Sequence, residues 1–200
     1  MRKQLQFATH KMKLSTLLPA FLFITSSTSY PYGWGLPSHN KPVFTLTNIT
    51  YTSEIIYSTP AHLAVANGRI EFNLTNSAVP YITHCNAESE WLYDFFYGNI
   101  VYTCDAPTGE GIAEDASANF TFSKPAGTFE VNQTWSELRQ GYDHPAFMLF
   151  GTGSGNATMN CETSYWQNTN WTLGQLYSIT TENCKPANLT ITPTVFPLHK

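Results

Sequence analysis

The feature that most constrains this chain is an alternation of dry and wet side chains locked to sugar-acceptor triplets. In Ile70-Glu71-Phe72-Asn73-Leu74-Thr75 the apolar residues hold one parity, while Glu71, Asn73 and Thr75 hold the other. Asn119-Phe120-Thr121-Phe122 and Ala187-Asn188-Leu189-Thr190-Ile191-Thr192 repeat the arrangement. Phe129 and Val131 alternate with Glu130 and Asn132, and the stretch from Asn156 sets Ala157, Met159 and Cys161 opposite its acceptor. Residues two apart in an extended strand share a face, so the Asn and the Thr of one triplet point to solvent together. A bulky N-linked sugar needs that same outward face. Two independent requirements thus select half-buried antiparallel strands.

Seven Asn-x-Ser/Thr triplets occur, at Asn48, Asn73, Asn119, Asn132, Asn156, Asn170 and Asn188, none with Pro in the middle. Candidate strands cover roughly 43–51, 55–59, 69–75, 99–104, 119–123, 128–135, 146–150, 156–161, 172–179 and 187–193. Turn-forming clusters separate them: Asn67-Gly68, Ala106 to Gly109, Lys124 to Gly127 and Gly151 to Gly155. Many short strands at this spacing predict an all-β fold, a compact antiparallel β-barrel or sandwich. Only Ala87 to Phe96 has a pattern that suits a helical turn.

The two ends read differently. Met1 to Lys13 holds Arg2, Lys3, Lys11 and Lys13 with no acid; an apolar run follows, Leu14 to Ile24, then a small polar exit from Thr25 to Ser29. These are the three parts of a secretory signal, with cleavage expected after Ser29. The run is 11 residues, well short of the roughly 20 that span a bilayer, so no stable membrane anchor is expected. The division that follows is a signal peptide over 1–29, a flexible Pro- and Gly-rich lead over 30–42, one secreted β domain over 43–195 and a tail over 196–200.

Loss of the leader leaves six Lys/Arg against 14 Asp/Glu, a net of −8. Lys41, Arg69, Lys124, Arg139, Lys185 and Lys200 are widely spaced. Nucleic acids demand clustered cations to displace counterions from phosphates, so that class of partner is excluded. Docking on anionic membranes is excluded for the same reason.

Four cysteines, Cys85, Cys104, Cys161 and Cys184, fall outside the leader. An even count in an exported chain reads as two disulfides, with three pairings open. Sequential pairing would close loops of about 20 residues, each stabilising by on the order of 3 kcal/mol in the chain-entropy description. No CxxC or close Cys/His pair is present to suit zinc, and no cofactor is expected.

The order of these segments resembles that of the fungal secreted proteins typified by the major Alternaria allergen. An opening strand Phe44-Thr45-Leu46-Thr47-Asn48-Ile49-Thr50-Tyr51 is followed by Arg69 to Leu74, then by Cys85, Trp91 and Cys104. Next come Asn119 to Phe122, Phe129 to Trp135, and the second cysteine pair with its final strand, Asn188 to Thr192. The resemblance implies a compact β-barrel with sequential disulfides, and an allergen, elicitor or effector role without catalysis. It departs from the family at one point: no cysteine lies between Ser29 and Cys85, so the subunit-joining disulfide of that allergen is not available and no covalent dimer is expected.

Catalytic constellations are not assembled by the sequence. Gly151-Thr152-Gly153-Ser154-Gly155 lacks the Gly-x-Ser-x-Gly elbow with its following helix, and lacks the Lys of a phosphate loop; it reads as a flexible hairpin connection. His39, His62, His84, His144 and His199 are scattered, and His84 is expected to pack against the Cys85 bridge. Glu114-Asp115 and Glu88/Glu90/Asp94 read as solvated acidic loops rather than as a glycosidase pair. The better candidate for a working surface is Trp91-Leu92-Tyr93-Asp94-Phe95-Phe96-Tyr97, in which Trp91, Tyr93, Phe95, Phe96 and Tyr97 offer flat rings for sugar or protein contact. Trp166 and Trp171 invite the same reading. The expectation is a non-catalytic secreted interaction protein meeting a host or cell-wall protein or glycan. A carbohydrate-binding module is the alternative, and a small hydrolase a distant third.

Overall fold

The structure is a computed structural model and describes residues 41–60, 64–90, 95–109, 112–137 and 147–198. The leader and most of the 30–42 lead lie outside them. Eleven strands and no helix are present among the described residues. In chain order they are β1 (Phe44–Tyr57), β2 (Ala64–Asn76), β3 (Ile82–Ser89), β4 (Tyr102–Thr103), β5 (Ser117–Ser123), β6 (Thr128–Glu137), β7 (Phe147–Asn156), β8 (Cys161–Gln167), β9 (Ser178–Cys184), β10 (Ala187–Ile191) and β11 (Thr194–Leu198). They form two antiparallel sheets. Sheet A runs β3-β2-β1-β9-β8, with β10 also paired to β1, and sheet B runs β11-β7-β6-β5-β4.

The alternation read from the sequence is the alternation that buries the core. Ile70, Phe72 and Leu74 of β2 face Phe120, Phe122, Phe129 and Val131 of β5 and β6, all at 0–1% exposure. Rings join the sheets: Phe72 meets Phe120 edge-on at 4.9 Å and Phe129 at 5.6 Å, while within sheet B Phe122 stacks on its cross-strand partner Phe129 at 4.6 Å. Each such side chain contributes about 1.5–3 kcal/mol through burial. One polar pair lies within this interior: Asn76 Nδ2 donates to Gln133 Oε1 at 2.9 Å, while Asn76 Oδ1 accepts from the Ala78 amide.

β1 runs unbroken through 52–54, where the sequence reading leaves a gap, and its one irregularity lies earlier. Between Thr47, opposite Asn73, and Thr50, opposite Glu71, β1 holds one extra residue, a β-bulge. Asn48 sits there at φ 55°, a left-handed conformation that Asn tolerates better than most residues. The bulge switches parity: Phe44 and Leu46 point inward before it, Ile49 and Tyr51 after it. The Asn48 amide left over from the ladder donates to Asn188 Oδ1 of β10 at 3.0 Å.

Several expectations are corrected: Asn67-Gly68 is no turn but lies inside β2, and the strands expected over 156–161 and 172–179 give way to connections at 157–160 and 172–177. Gly151 to Gly155 is no hairpin connection but the body of β7, and its three glycines face inward. A Cβ on Gly151 would lie 2.8 Å from Trp135 and 2.9 Å from Phe44, and one on Gly153 would lie 2.6 Å from Ile191. The bare stripe is what lets the β10–β11 corner and Trp135 approach. The helical reading of 87–96 gives way to β3 as far as Ser89, because β2 offers it a full antiparallel partner, Phe72 opposite Cys85 and Ile70 opposite Ala87. Residues 196–198, read as tail, belong to β11, paired with β7 from Thr194–Thr152 to Leu198–Met148.

Candidate functional site

Both disulfides are sequential, Cys85–Cys104 and Cys161–Cys184. The first is buried and ties β3 of sheet A to the chain just past β4 of sheet B; the Cys104 amide also bonds the Ala118 carbonyl. The second joins directly opposed residues of the neighbouring strands β8 and β9. Glu182 lies close to the second pair of sulfurs, but those sulfurs are bonded to each other and are not free to ligate a metal.

The aromatic loop is only partly a surface. Phe96 is 1% exposed and packs edge-on against Tyr51 at 5.9 Å, so it is core and not contact surface. Phe95 is half-buried, its ring capping Gly68, and Tyr97 is exposed. The interior beside Gly68 has room for two rings because glycine supplies none, and that draws Phe95 and Phe96 inward. Trp91 and Tyr93 lie outside the described residues.

The other candidates separate in the same way. His84 points away from the bridge, as the neighbour of a buried strand residue must, and meets Asn73 Oδ1 at 3.2 Å on the outer face. His39, His62, His144 and His199 lie outside the described residues. Ser154 stands on the outward face of β7 opposite Glu130. Glu88, Glu90, Glu114 and Asp115 are exposed. None of the seven sequon asparagines is buried. Asn119 and Asn132 are direct cross-strand partners, Asn132 Nδ2 donating to Asn119 Oδ1 at 3.0 Å.

The strands assemble a further surface that the sequence showed only in fragments. On the outward face of sheet A, ladder partners fall into rows. Arg69, Thr52, Asn183 and Glu162 form one row across β2, β1, β9 and β8; Asn67, Glu54, Thr181 and Ser164 form the next; Val65, Ile56, Ile179 and Trp166 form the third. Val65 is 65% and Trp166 51% exposed. Arg69 is held by Glu71 at 3.0 Å and Glu88 at 3.4 Å, and the polar rows surround a shallow recess of about 350 Å³. Trp166 was legible as a candidate. Its partners were not, since Ile55-Ile56-Tyr57 is apolar at both parities and cross-strand register is invisible in one sequence. No candidate strand reaches past Cys161 into β8.

A family model described as Alternaria alternata allergen 1 matches residues 46–184, more than half of the chain. The chain belongs to this family. No curated protein and no solved structure matches it. The matched span runs from Leu46 of β1 to Cys184 and so includes both disulfides. Closed disulfides and membership of this allergen family accord with an oxidising, extracellular setting.

Proposed function

We propose that this chain is a secreted, glycosylated and non-catalytic recognition protein, of the effector, elicitor or allergen-like kind, that meets a host or cell-wall macromolecule through its surface. The observation that supports the reading best is the gathering of exposed large apolar side chains along the β8–β9 hairpin: Tyr165, Trp166, Leu173 and Leu176, at 61%, 51%, 87% and 45% exposure. Such clusters on an exported domain mark contact sites. The seven acceptor triplets would carry sugars around that surface. The basic and apolar leader directs export.

The test is binding without turnover. Exported protein is immobilised and offered purified host extracellular proteins and cell-wall polysaccharides, and in parallel is assayed against chromogenic ester, glycoside and peptide substrates. Saturable binding with no product release is expected. Turnover that copurifies with the protein and scales with its amount would overturn the reading.

A further inference from the structure

The outward face of sheet A is divided. One end bears Asn48, Asn73 and Asn188, the acceptor residues of β1, β2 and β10. The other end, formed by 52–57, 64–69, 161–167 and 178–183, carries no acceptor triplet at all and presents the three rows described above. The strands of this end keep their outward face free of acceptors, and the nearest one, Asn170, sits in the β8–β9 connection rather than on the rows.

The chemistry of the rows selects an occupant. The apolar row of Val65, Ile56, Ile179 and Trp166 crosses four strands, roughly 14 Å at the usual strand spacing. That is longer than one pyranose ring, and it ends in a flat exposed indole. Beside it the recess offers two carboxylates (Glu54, Glu88), two carboxamides (Asn67, Asn183), three hydroxyls (Thr52, Ser53, Thr181) and the Arg69 guanidinium. Carboxamides and hydroxyls both donate and accept, the carboxylates accept and the guanidinium donates. A surface with an apolar strip alongside densely mixed donors and acceptors matches a sugar chain, whose rings have a C–H face and a hydroxyl rim. A protein partner would centre on the apolar strip, yet here that strip is the border and small polar side chains line the hollow.

Charge narrows the class further. Arg69 is already engaged by Glu71 and Glu88, and Glu54 and Glu162 add negative charge on a chain of net −8 without its leader. Anionic glycans are repelled. We therefore propose that this ledge binds a neutral oligosaccharide of several units, lying along Trp166 and Ile179 with its hydroxyl groups in the recess. The proposal rests on the recognition reading above and names its ligand.

Titration calorimetry and NMR shift mapping with laminarihexaose, cellohexaose and chitohexaose, with hexagalacturonate as the charged comparison, test it. At least one neutral hexamer is expected to bind. Trp166→Ala and Glu54→Gln, both on exposed or half-exposed outer positions, should each weaken it by about tenfold or more while leaving thermal unfolding unchanged. Hexagalacturonate should not bind. Silence from all three neutral hexamers at about 10 mM, where even millimolar affinity registers, overturns the proposal. So does binding that the Trp166→Ala/Glu54→Gln double variant retains in full. Binding to a purified host protein with no hexamer bound overturns the glycan assignment and leaves the recognition reading standing. Cleavage of a bound hexamer does the reverse.

Discussion

The two disulfides close loops of similar length, 19 and 23 residues apart in sequence, yet they hold together very different regions. In the chain-entropy description both stabilise by about 3 kcal/mol. Cys85–Cys104 lies in the interior, at 0% and 6% exposure, and joins the two sheets beside the Phe72–Phe120 contact. Cys161–Cys184 sits at the rim of the core and joins strands already hydrogen-bonded from Cys161–Cys184 to Gln167–Ser178. Beyond it β8 is exposed from Glu162 to Gln167. The same covalent device thus supports a load-sharing interior in one place and a free-standing edge in the other. Loop length alone misses that difference.

Removing the first bridge should be the largest single effect available. A Cys85→Ala/Cys104→Ala variant is expected to lose about 3–5 kcal/mol, since the loop constraint goes and a cavity opens between the sheets. Urea unfolding of the exported protein measures it. Equal losses from the two disulfide deletions would break the comparison.

The inner face of β7 sharpens it from the interior side. Gly153→Ala places a methyl 2.6 Å from Ile191 Cγ2 and 3.2 Å from the Pro193 Cα, and the latter is backbone that cannot rotate away. A loss of about 1–3 kcal/mol is expected from overpacking. Ser154→Ala, one residue along on the exposed face, should change the midpoint by almost nothing. If both variants melt alike, the glycine stripe is not a packing device.

Much of this interior was legible beforehand. Alternation placed Ile70, Phe72, Leu74, Phe120, Phe122, Phe129 and Val131 on the dry side because each strand there is regular. Where the period breaks, the reading broke with it. Residues 52–54 of β1 were missed because Ile55-Ile56-Tyr57 beyond them shows no clean alternation, and the Gly153 region offers no side chain to show which way it faces. β8 escaped because an edge strand exposed on both faces has no dry parity to reveal. The ledge escaped for a related reason: it is made by register between β2, β1, β9 and β8, and register is a tertiary fact.

The edge bridge should matter less and more locally. Cys161→Ala/Cys184→Ala is expected to cost about 1–2 kcal/mol, below the loop estimate, because the β8–β9 ladder survives the loss of the bond. Its signature is regional: hydrogen exchange should speed up in β8 and the adjoining part of β9, with β5 and β6 protected as before. Faster exchange throughout both sheets would mean that the bridge supports the core after all.

The smallest effect probes the border between the two regions, where Tyr51 is the last fully buried residue of β1. Lys124, from the turn after β5, lies 4.9 Å over its ring and bonds Glu182 of β9 at 2.6 Å, so this corner also ties sheet B to sheet A. Burial pushes the Tyr51 hydroxyl above its ordinary value, Glu182 adds to that push, and a hydrogen bond with Ser53 opposes it. The sign follows from proton binding. Above pH of about 10 the unfolded chain releases this proton while the folded chain keeps it, so the unfolded state gains and stability falls as pH rises. Below that value the contribution is constant. Tyr51→Phe keeps the ring and removes the titration, so its stability should decline less steeply than the parent's above pH of about 10, with little difference near neutrality. Parallel alkaline curves for the two proteins would show that the border tyrosine is hydrated, and that the dry interior ends earlier along β1 than Tyr51.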